Sequence, residues 1–165
     1  TPFGKRTVRR MEELSILPDV FHLNEAGFWD VAETAAGPFL ASHSVSAALC
    51  SSPRNLDDRQ FAAIRDRGGL VGINFCAGQL GEQTFEAIER HLDHYLSLEG
   101  GRTVAFGADL DGTDLPPGWG GIQVMERLYD YLCRKNYDAV CLDRVFFGNC
   151  YDFFLRALTK AADIE

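Results

Sequence analysis

Short apolar runs alternate with longer amphipathic segments along most of the chain. Four of the short runs are rich in β-branched and aromatic residues and have the length of buried strands. Segments with an apolar residue at every third or fourth position lie between them, as on one face of a helix. The four predicted strands are the segments ILPDVFH, PFLASH, LVGINF and TVAFGAD.

The longest predicted helix, EQTFEAIERHLDHYLSL, places its apolar residues on a single stripe. Strands that are separated by helices of about ten or more residues indicate right-handed crossovers and a parallel sheet. The pattern therefore predicts the α/β class, and we find no repeat or linker that would divide residues 1–165 into two domains. The other predicted helices are KRTVRRMEELS, EAGFWDVAETAA, DRQFAAIRDR after an N-cap at Asp57, and most of the chain from Gln123 to its end.

Three of the predicted strands end in a residue that can bind a metal or accept a proton. His22 ends the first strand, His43 the second and Asp109 the fourth. Because the carboxyl ends of parallel strands share one edge of a sheet, we expect these side chains to converge there. Imidazole and carboxylate ligands suit zinc, which activates water for hydrolysis. A single histidine at a strand end is more often a hydrogen-bonded loop residue, so the argument depends on all three.

Arg54 lies in the loop after His43 and could bind a substrate carboxylate with two parallel hydrogen bonds. Its alternative is an ion pair with Asp57 or Asp58. Of the carboxylates in ADLDGTD, only Asp109 continues directly from the strand, and the following Asp-Gly pair is typical of a turn. We interpret Asp19 as a hydrogen-bond partner of a neighbouring backbone.

The remaining histidines, His91 and His94, are three positions apart on the longest helix, a spacing that can chelate a metal. The apolar stripe of that helix centres near Ile88 and Leu92, and His94 points away from it. We therefore expect this pair to lie on the solvated surface.

Composition narrows the possible partners. The 165 residues are 46% hydrophobic, which is enough for a buried core, and the net charge of −8 disfavours nucleic acid. No apolar run approaches the roughly 20 residues of a membrane-spanning helix, and the N-terminus lacks the apolar centre of a secretory signal. The five cysteines form no C-x-x-C pair, so we expect reduced thiols in a cytoplasmic protein.

A series of segments resembles the membrane (renal) dipeptidase family in order and spacing, over almost the whole chain. That family consists of binuclear zinc peptidases with an amidohydrolase-like (β/α)₈ barrel. The segments are TPFGKRTVRRMEELSILPDVFH, ASHSVSAALC, PRNLDDRQFAAIRDRGGLVGINF, HLDH, FGADLDG and FGN.

The resemblance implies hydrolysis of dipeptides, including those with a C-terminal D-residue, by a hydroxide held between two Zn²⁺ ions. It implies that His22 and His43 bind the second zinc and that Arg54 holds the substrate carboxylate. Asp109 would lie beside the metals and carry a proton from the attacking water to the leaving amine. These roles agree with the strand-end argument.

The chain departs from the family pattern in two ways. Phe21 stands where the family usually has Ser, and ADLDG and FGN replace SDFDG and GGN, which can alter the residues that orient the ligands. The family's H-x-D strand and bridging Glu cannot be placed, the first residue is Thr, and four strands are half of a closed barrel. We therefore expect residues 1–165 to be the C-terminal half of the barrel, inactive alone, and paired with an N-terminal half or a second copy.

Two alternative functions remain open at this point. The chain could be a degenerate homologue or fragment that binds a ligand without catalysis. It could also belong to another metal-dependent hydrolase of the amidohydrolase type, with a substrate other than a dipeptide.

Overall fold

Three parallel strands form the sheet of the protein, which a computed structural model describes over residues 1–159. The order is β1 (Leu40–Ala41), β2 (Leu70–Ile73), β3 (Val104–Phe106). Both pairings are parallel, with Ala41 opposite Val71 and Val71 opposite Val104. Three of the four predicted strands are thus confirmed, together with their parallel arrangement.

Helices occupy the segments that the apolar periodicity predicted. The helical prediction from Gln123 onward is confirmed in several pieces up to residue 159, and its last six residues lie outside the described part. A 3₁₀ turn covers Gly100–Arg102 and a π-helical turn covers Arg144–Gly148. The α-helices are α1 (Pro2–Glu13), α2 (Glu25–Thr34), α3 (Asp58–Asp66), α4 (Ala77–Leu80), α5 (Phe85–Ser97), α6 (Gln123–Arg134), α7 (Ala139–Asp143) and α8 (Asn149–Thr159).

A side-chain capping box forms at the start of α3, the helix that follows the loop carrying Arg54. The Asp57 carboxylate accepts from the backbone N–H of Gln60, and the Gln60 side chain accepts from the N–H of Asp57. This reciprocal capping box satisfies two of the backbone donors that a helix start leaves open. The predicted N-cap of α3 is confirmed. Among residues 1–159, no helix is both long and apolar enough to cross a membrane.

The prediction of a regular strand at ILPDVFH was wrong. Its segment joins the sheet through one parallel bridge, between Asp19 and Leu40. The N–H of Val20 donates to Leu40, and the N–H of Leu40 donates to the carbonyl of Pro18. Pro18 has no N–H with which to extend the ladder, and a turn begins at Phe21.

The two faces of the sheet bury different clusters. One face packs against α2, α3 and α5 in the main core, and the other is covered at its amino end by Phe153 of α8. Alternation along each strand produces this division. The main core includes Ala41, Val71, Ile73 and Val104 with Phe28, Phe61, Ile64, Ile88 and Leu92; the smaller cluster is Leu40, Leu70, Ala105 and Phe153.

Glycines allow the strands to approach closely at their carboxyl ends. A Cβ on Gly72 would lie 2.9 Å from the Cα of Gly107, and a Cβ on either glycine would collide with the carbonyl oxygen of Ser42. Any side chain at these two positions would push the strands apart. The backbone of Ser42, directly before His43, therefore lies against Gly72 of β2 and against Gly107, the residue directly after β3.

The opposite end of the sheet is held by Asn149, the first residue of α8. Its buried side-chain amide donates to the carbonyl oxygens of Gly101 and Val104, at 3.0 and 2.7 Å. Gly101 lies in the 3₁₀ turn before β3, and Val104 is the first residue of β3. The contact ties the C-terminal helix to the amino edge of the sheet.

The prediction of a solvated histidine pair on α5 was wrong for His91. Its side chain is buried, Nδ1 accepts from the backbone N–H of Ser46 at 3.2 Å, and Nε2 lies 3.4 Å from the carbonyl of Leu80. The loops after β1 and β2 fold over this flank of the helix. His94 is partly buried, and its Nε2 lies 2.8 Å from Oδ1 of Asp58.

Burial of His91 predicts a dependence of stability on pH. Desolvation lowers the pKa of His91 from 6.5 to about 4. Between these values the unfolded chain binds the proton more readily, so the contribution of His91 to the free energy of unfolding is full above pH 6.5 and is lost as the pH falls toward 4. We expect His91→Gln, which keeps a hydrogen-bond acceptor, to reduce this slope in urea unfolding measured across the interval. An unchanged slope would contradict burial of the neutral ring.

Candidate active site

The imidazole rings of His22 and His43 lie side by side at the carboxyl edge of the sheet. His43 is two residues beyond β1, and His22 is in the turn after the Asp19 bridge. Their ring centroids are 5.2 Å apart. The structure thus brings together the two histidines that the sequence analysis selected.

Neighbouring side chains engage the Nδ1 atom of each ring. The hydroxyl of Ser42 lies 2.7 Å from Nδ1 of His43, and the Arg54 guanidinium donates to Nδ1 of His22 at 2.6 Å. A guanidinium can only donate, so neutral His22 carries its proton on Nε2. A metal requires a ring lone pair. Binding of a metal by His22 through either nitrogen therefore requires Arg54 to leave Nδ1.

Arg54 faces the histidines rather than the carboxylates that were its alternative partners. Asp57 caps α3, and Asp58 pairs with His94. The guanidinium carbon of Arg54 lies 5.7 Å from the ring centroid of Phe21. The Arg54 guanidinium thus lies over the Phe21 ring at the carboxyl edge of the sheet, where it can bind a carboxylate.

The aromatic ring of Phe21 packs against His22, His43 and Arg54. Its buried ring lies 4.6 Å from the ring of His22 and 3.8 Å from that of His43, measured between centroids. With Arg54 over the same ring, one aromatic side chain contacts all three groups. In the sequence, Phe21 is distinctive only as a departure from the family pattern.

Asp109 reaches the same place from the loop after β3. Its Oδ2 lies 4.0 Å from Nε2 of His43, which is longer than a hydrogen bond but close enough for a direct electrostatic interaction. Asp111 and Asp114 are exposed. Asp19 accepts from the backbone N–H groups of Phe21 and Ser42, the backbone role expected for it.

The charge state of His43 results from opposing influences. Burial lowers its pKa, while the carboxylates of Asp109 and Asp19 act to raise it; the nearby His22 and Arg54 act to lower it. The net direction is downward, so the ring is neutral at pH 7. A neutral imidazole is the form that binds a metal.

A buried polar network supports the loops that carry His43 and Arg54. The Asn74 amide donates to the backbone carbonyl of His43 at 3.2 Å and also to the Gln79 side chain. Asn55, directly after Arg54, donates to the backbone carbonyl of Gln79 at 2.9 Å. All three amides are buried. Single-sequence patterns did not reveal this network because Asn55 and Asn74 lie in different loops and Gln79 lies in the short helix α4, so no periodic pattern joins them.

The donor set fits part of a zinc site. Within the described residues, no group of three or more His, Cys, Asp or Glu side chains could hold a metal ion. His22 and His43 nevertheless present two imidazoles at one mouth, with Asp109 beside the second. Nitrogen ligands of this kind suit zinc, and a zinc ion held by these two rings would need further ligands to complete a tetrahedral site.

Packing around Phe21 predicts a graded loss of stability on substitution. Phe21→Leu keeps apolar volume and should lower the free energy of unfolding by about 1 kcal/mol. Phe21→Ser, which introduces the residue of the family pattern, should lower it by about 3 kcal/mol or more, because it removes a buried ring. Urea denaturation of the purified variants measures both. Losses below about 0.5 kcal/mol in both variants would contradict the described packing.

The chain is similar to several known proteins in sequence and in fold. A Klebsiella pneumoniae protein, described as an uncharacterized protein in the pqqA 5′ region, is 38% identical over 156 residues, covering 90% of this chain and 58% of that protein. A crystallised metallopeptidase from Rhodobacter sphaeroides, liganded with a phosphinate mimic of the dipeptide L-Ala-D-Ala, is 35% identical with a TM-score of 0.89. The match covers 95% of this chain and 47% of that one.

A crystallised amidohydrolase from Pseudomonas aeruginosa, 18% identical, matches with a TM-score of 0.85 over 96% of this chain and 57% of that one, which shows likeness of fold. The chain therefore has the α/β fold of part of an amidohydrolase-like barrel, and it spans about half the length of these relatives. The family model described as Membrane dipeptidase (Peptidase family M19) matches residues 1–165. The chain belongs to the membrane dipeptidase family of metallopeptidases.

Proposed function

We propose that the protein to which these residues belong hydrolyses dipeptides with the help of zinc. The observation that carries the proposal is the convergence of His22, His43, Arg54 and Asp109 at one edge of the sheet. Family membership supports peptidase chemistry, and the Rhodobacter sphaeroides relative supports a dipeptide substrate.

In this proposal His22 and His43 hold one zinc ion of a pair. Zinc lowers the pKa of a bound water to about 7 and so supplies hydroxide at neutral pH. Phe21 shields both rings from water on one side, and Ser42 fixes the orientation of His43 through Nδ1. Oδ2 of Asp109 accepts a proton from the attacking water and returns it to the amine nitrogen of the leaving residue.

Arg54 binds the free carboxylate of the substrate. Departure of the guanidinium from Nδ1 of His22 frees its donors for that carboxylate, so ligation at His22 and substrate binding favour the same position of Arg54. We extend the proposal to dipeptides with a C-terminal D-residue, since the related metallopeptidase holds a mimic of L-Ala-D-Ala.

The catalytic unit needs more than residues 1–165. Phe147, Tyr151, Phe154 and Leu158 expose apolar side chains along α8 and the π-helical turn before it. A continuous apolar face on a soluble domain normally packs against another element. We propose that the N-terminal half of the barrel, or else a second copy of this chain, covers it, and that residues 1–165 alone are inactive.

Two alternative functions predict different behaviour from that of a zinc dipeptidase. A degenerate homologue would bind metal or ligand at this mouth without turnover, and another amidohydrolase-type enzyme would not require the free carboxylate. A cytoplasmic location remains a prediction from the sequence.

Metal content and amino-acid release test the main proposal together. The purified parent protein should bind about two zinc ions per complete barrel and release amino acids from L-Ala-L-Ala and L-Ala-D-Ala. Removal of zinc by a chelator should abolish release, and added zinc should restore it. Residues 1–165 alone serve as the control, for which no release is expected. Zinc binding without release would favour the non-catalytic alternative.

Arg54→Ala distinguishes a dipeptidase from another hydrolase. Loss of a charged hydrogen bond should raise KM for free-carboxylate dipeptides by about 10- to 100-fold and change KM for their C-terminal amides by less than about threefold. Arg59→Ala, which removes an exposed guanidinium from α3, is the matched control and should leave both values unchanged. Equal effects of Arg54→Ala on both substrates would remove the carboxylate role.

A further inference from the structure

The turn that carries Asp109 has an unusual backbone. Asp109 has φ +54°, in the left-handed region that few residues other than glycine adopt. Its carbonyl oxygen accepts from the N–H groups of Gly112 and Thr113, both at 3.1 Å. The chain therefore folds back so that the third residue after Asp109 lies beneath its side chain.

Gly112 leaves the space that the Asp109 carboxylate occupies. A Cβ at Gly112 would lie 2.8 Å from Cγ and 2.9 Å from Oδ2 of Asp109, and closer still to Oδ1. All three of these nearest atoms belong to the end of that one side chain. The φ of Gly112 is outside the left-handed region, so the backbone accepts alanine there. An added methyl group would displace the carboxylate rather than the turn.

We propose that Gly112 is a positioning residue whose missing side chain seats the Asp109 carboxylate beside His43. The seat determines the 4.0 Å separation between Oδ2 of Asp109 and Nε2 of His43. The inference rests on the proposed function, in which that carboxylate moves a proton. Gly112 thus has a role beyond turn formation. The absence of a side chain at this position, three residues after Asp109, allows the Asp109 carboxylate to lie over the turn.

The test uses the full-length parent enzyme with zinc bound and four variants. Gly112→Ala should lower kcat by about 10- to 100-fold, since displacement of a catalytic group by about 1 Å has effects of this size. KM should change by less than about threefold, because Arg54 is untouched. The melting temperature should stay within about 2 °C of wild type. Gly78→Ala is the matched control, since a Cβ there meets nothing within 4 Å, and it should retain wild-type kcat.

A double-mutant cycle separates positioning from general damage. Asp109→Asn alone should lower kcat by about 100-fold or more, as removal of a proton-transfer group does. Gly112→Ala should then have no further effect in the Asp109→Asn background, because it acts through that carboxylate. Wild-type kcat in Gly112→Ala, or an equal loss in both backgrounds, would overturn the proposal.

A crystal structure of the Gly112→Ala enzyme remains decisive if Asp109→Asn retains activity. That activity would remove Asp109 from the proposed reaction without addressing its seat. The proposal requires the Asp109 carboxylate to move away from Nε2 of His43 while the turn keeps its backbone hydrogen bonds. A carboxylate in its original place beside the new methyl group would refute it.

Discussion

The close approach of three strands at their carboxyl ends is the constraint on which the site depends. Gly72 and Gly107 carry no side chain, and the carbonyl of Ser42 occupies the space that a Cβ would need. The residue after Ser42 is His43, so this contact also determines where the imidazole leaves the sheet. Because the hydroxyl of Ser42 also lies 2.7 Å from Nδ1 of His43, the same residue both packs the strands and orients the imidazole.

Apolar periodicity was sufficient to predict most of the helices and three of the four predicted strands. Burial of one helix face and of alternate strand residues requires a repeated pattern, and that pattern is visible in a single sequence. It failed at ILPDVFH, where an apolar composition suggested a strand but Pro18 lacks a donor and Asp19 uses its carboxylate on the backbone. It also failed at His91, since periodicity on α5 carries no information about the loops that cover its flank.

The strand-end rule found His22, His43 and Asp109 because parallel strands share an edge regardless of their side chains. The residues that hold these groups in place were harder to find. Phe21 and Asn74 contact His43, and the backbone carbonyl of Gln79 accepts from Asn55, so each of these pairs is distant in sequence. The direction of the Asp109 side chain depends on the positive φ angle of this residue, which residue types alone do not specify.

The hydrogen bonds of Asn149 have a consequence for how such a protein can vary. They fasten α8 to Val104 of β3 and to the turn before it, at the end of the sheet opposite the histidines. The contact that anchors α8 and the pair of histidines thus lie at opposite ends of one sheet. Under the proposed function, replacements among the loop residues can change the substrate while this anchor persists, whereas loss of the Asn149 amide would weaken the scaffold itself.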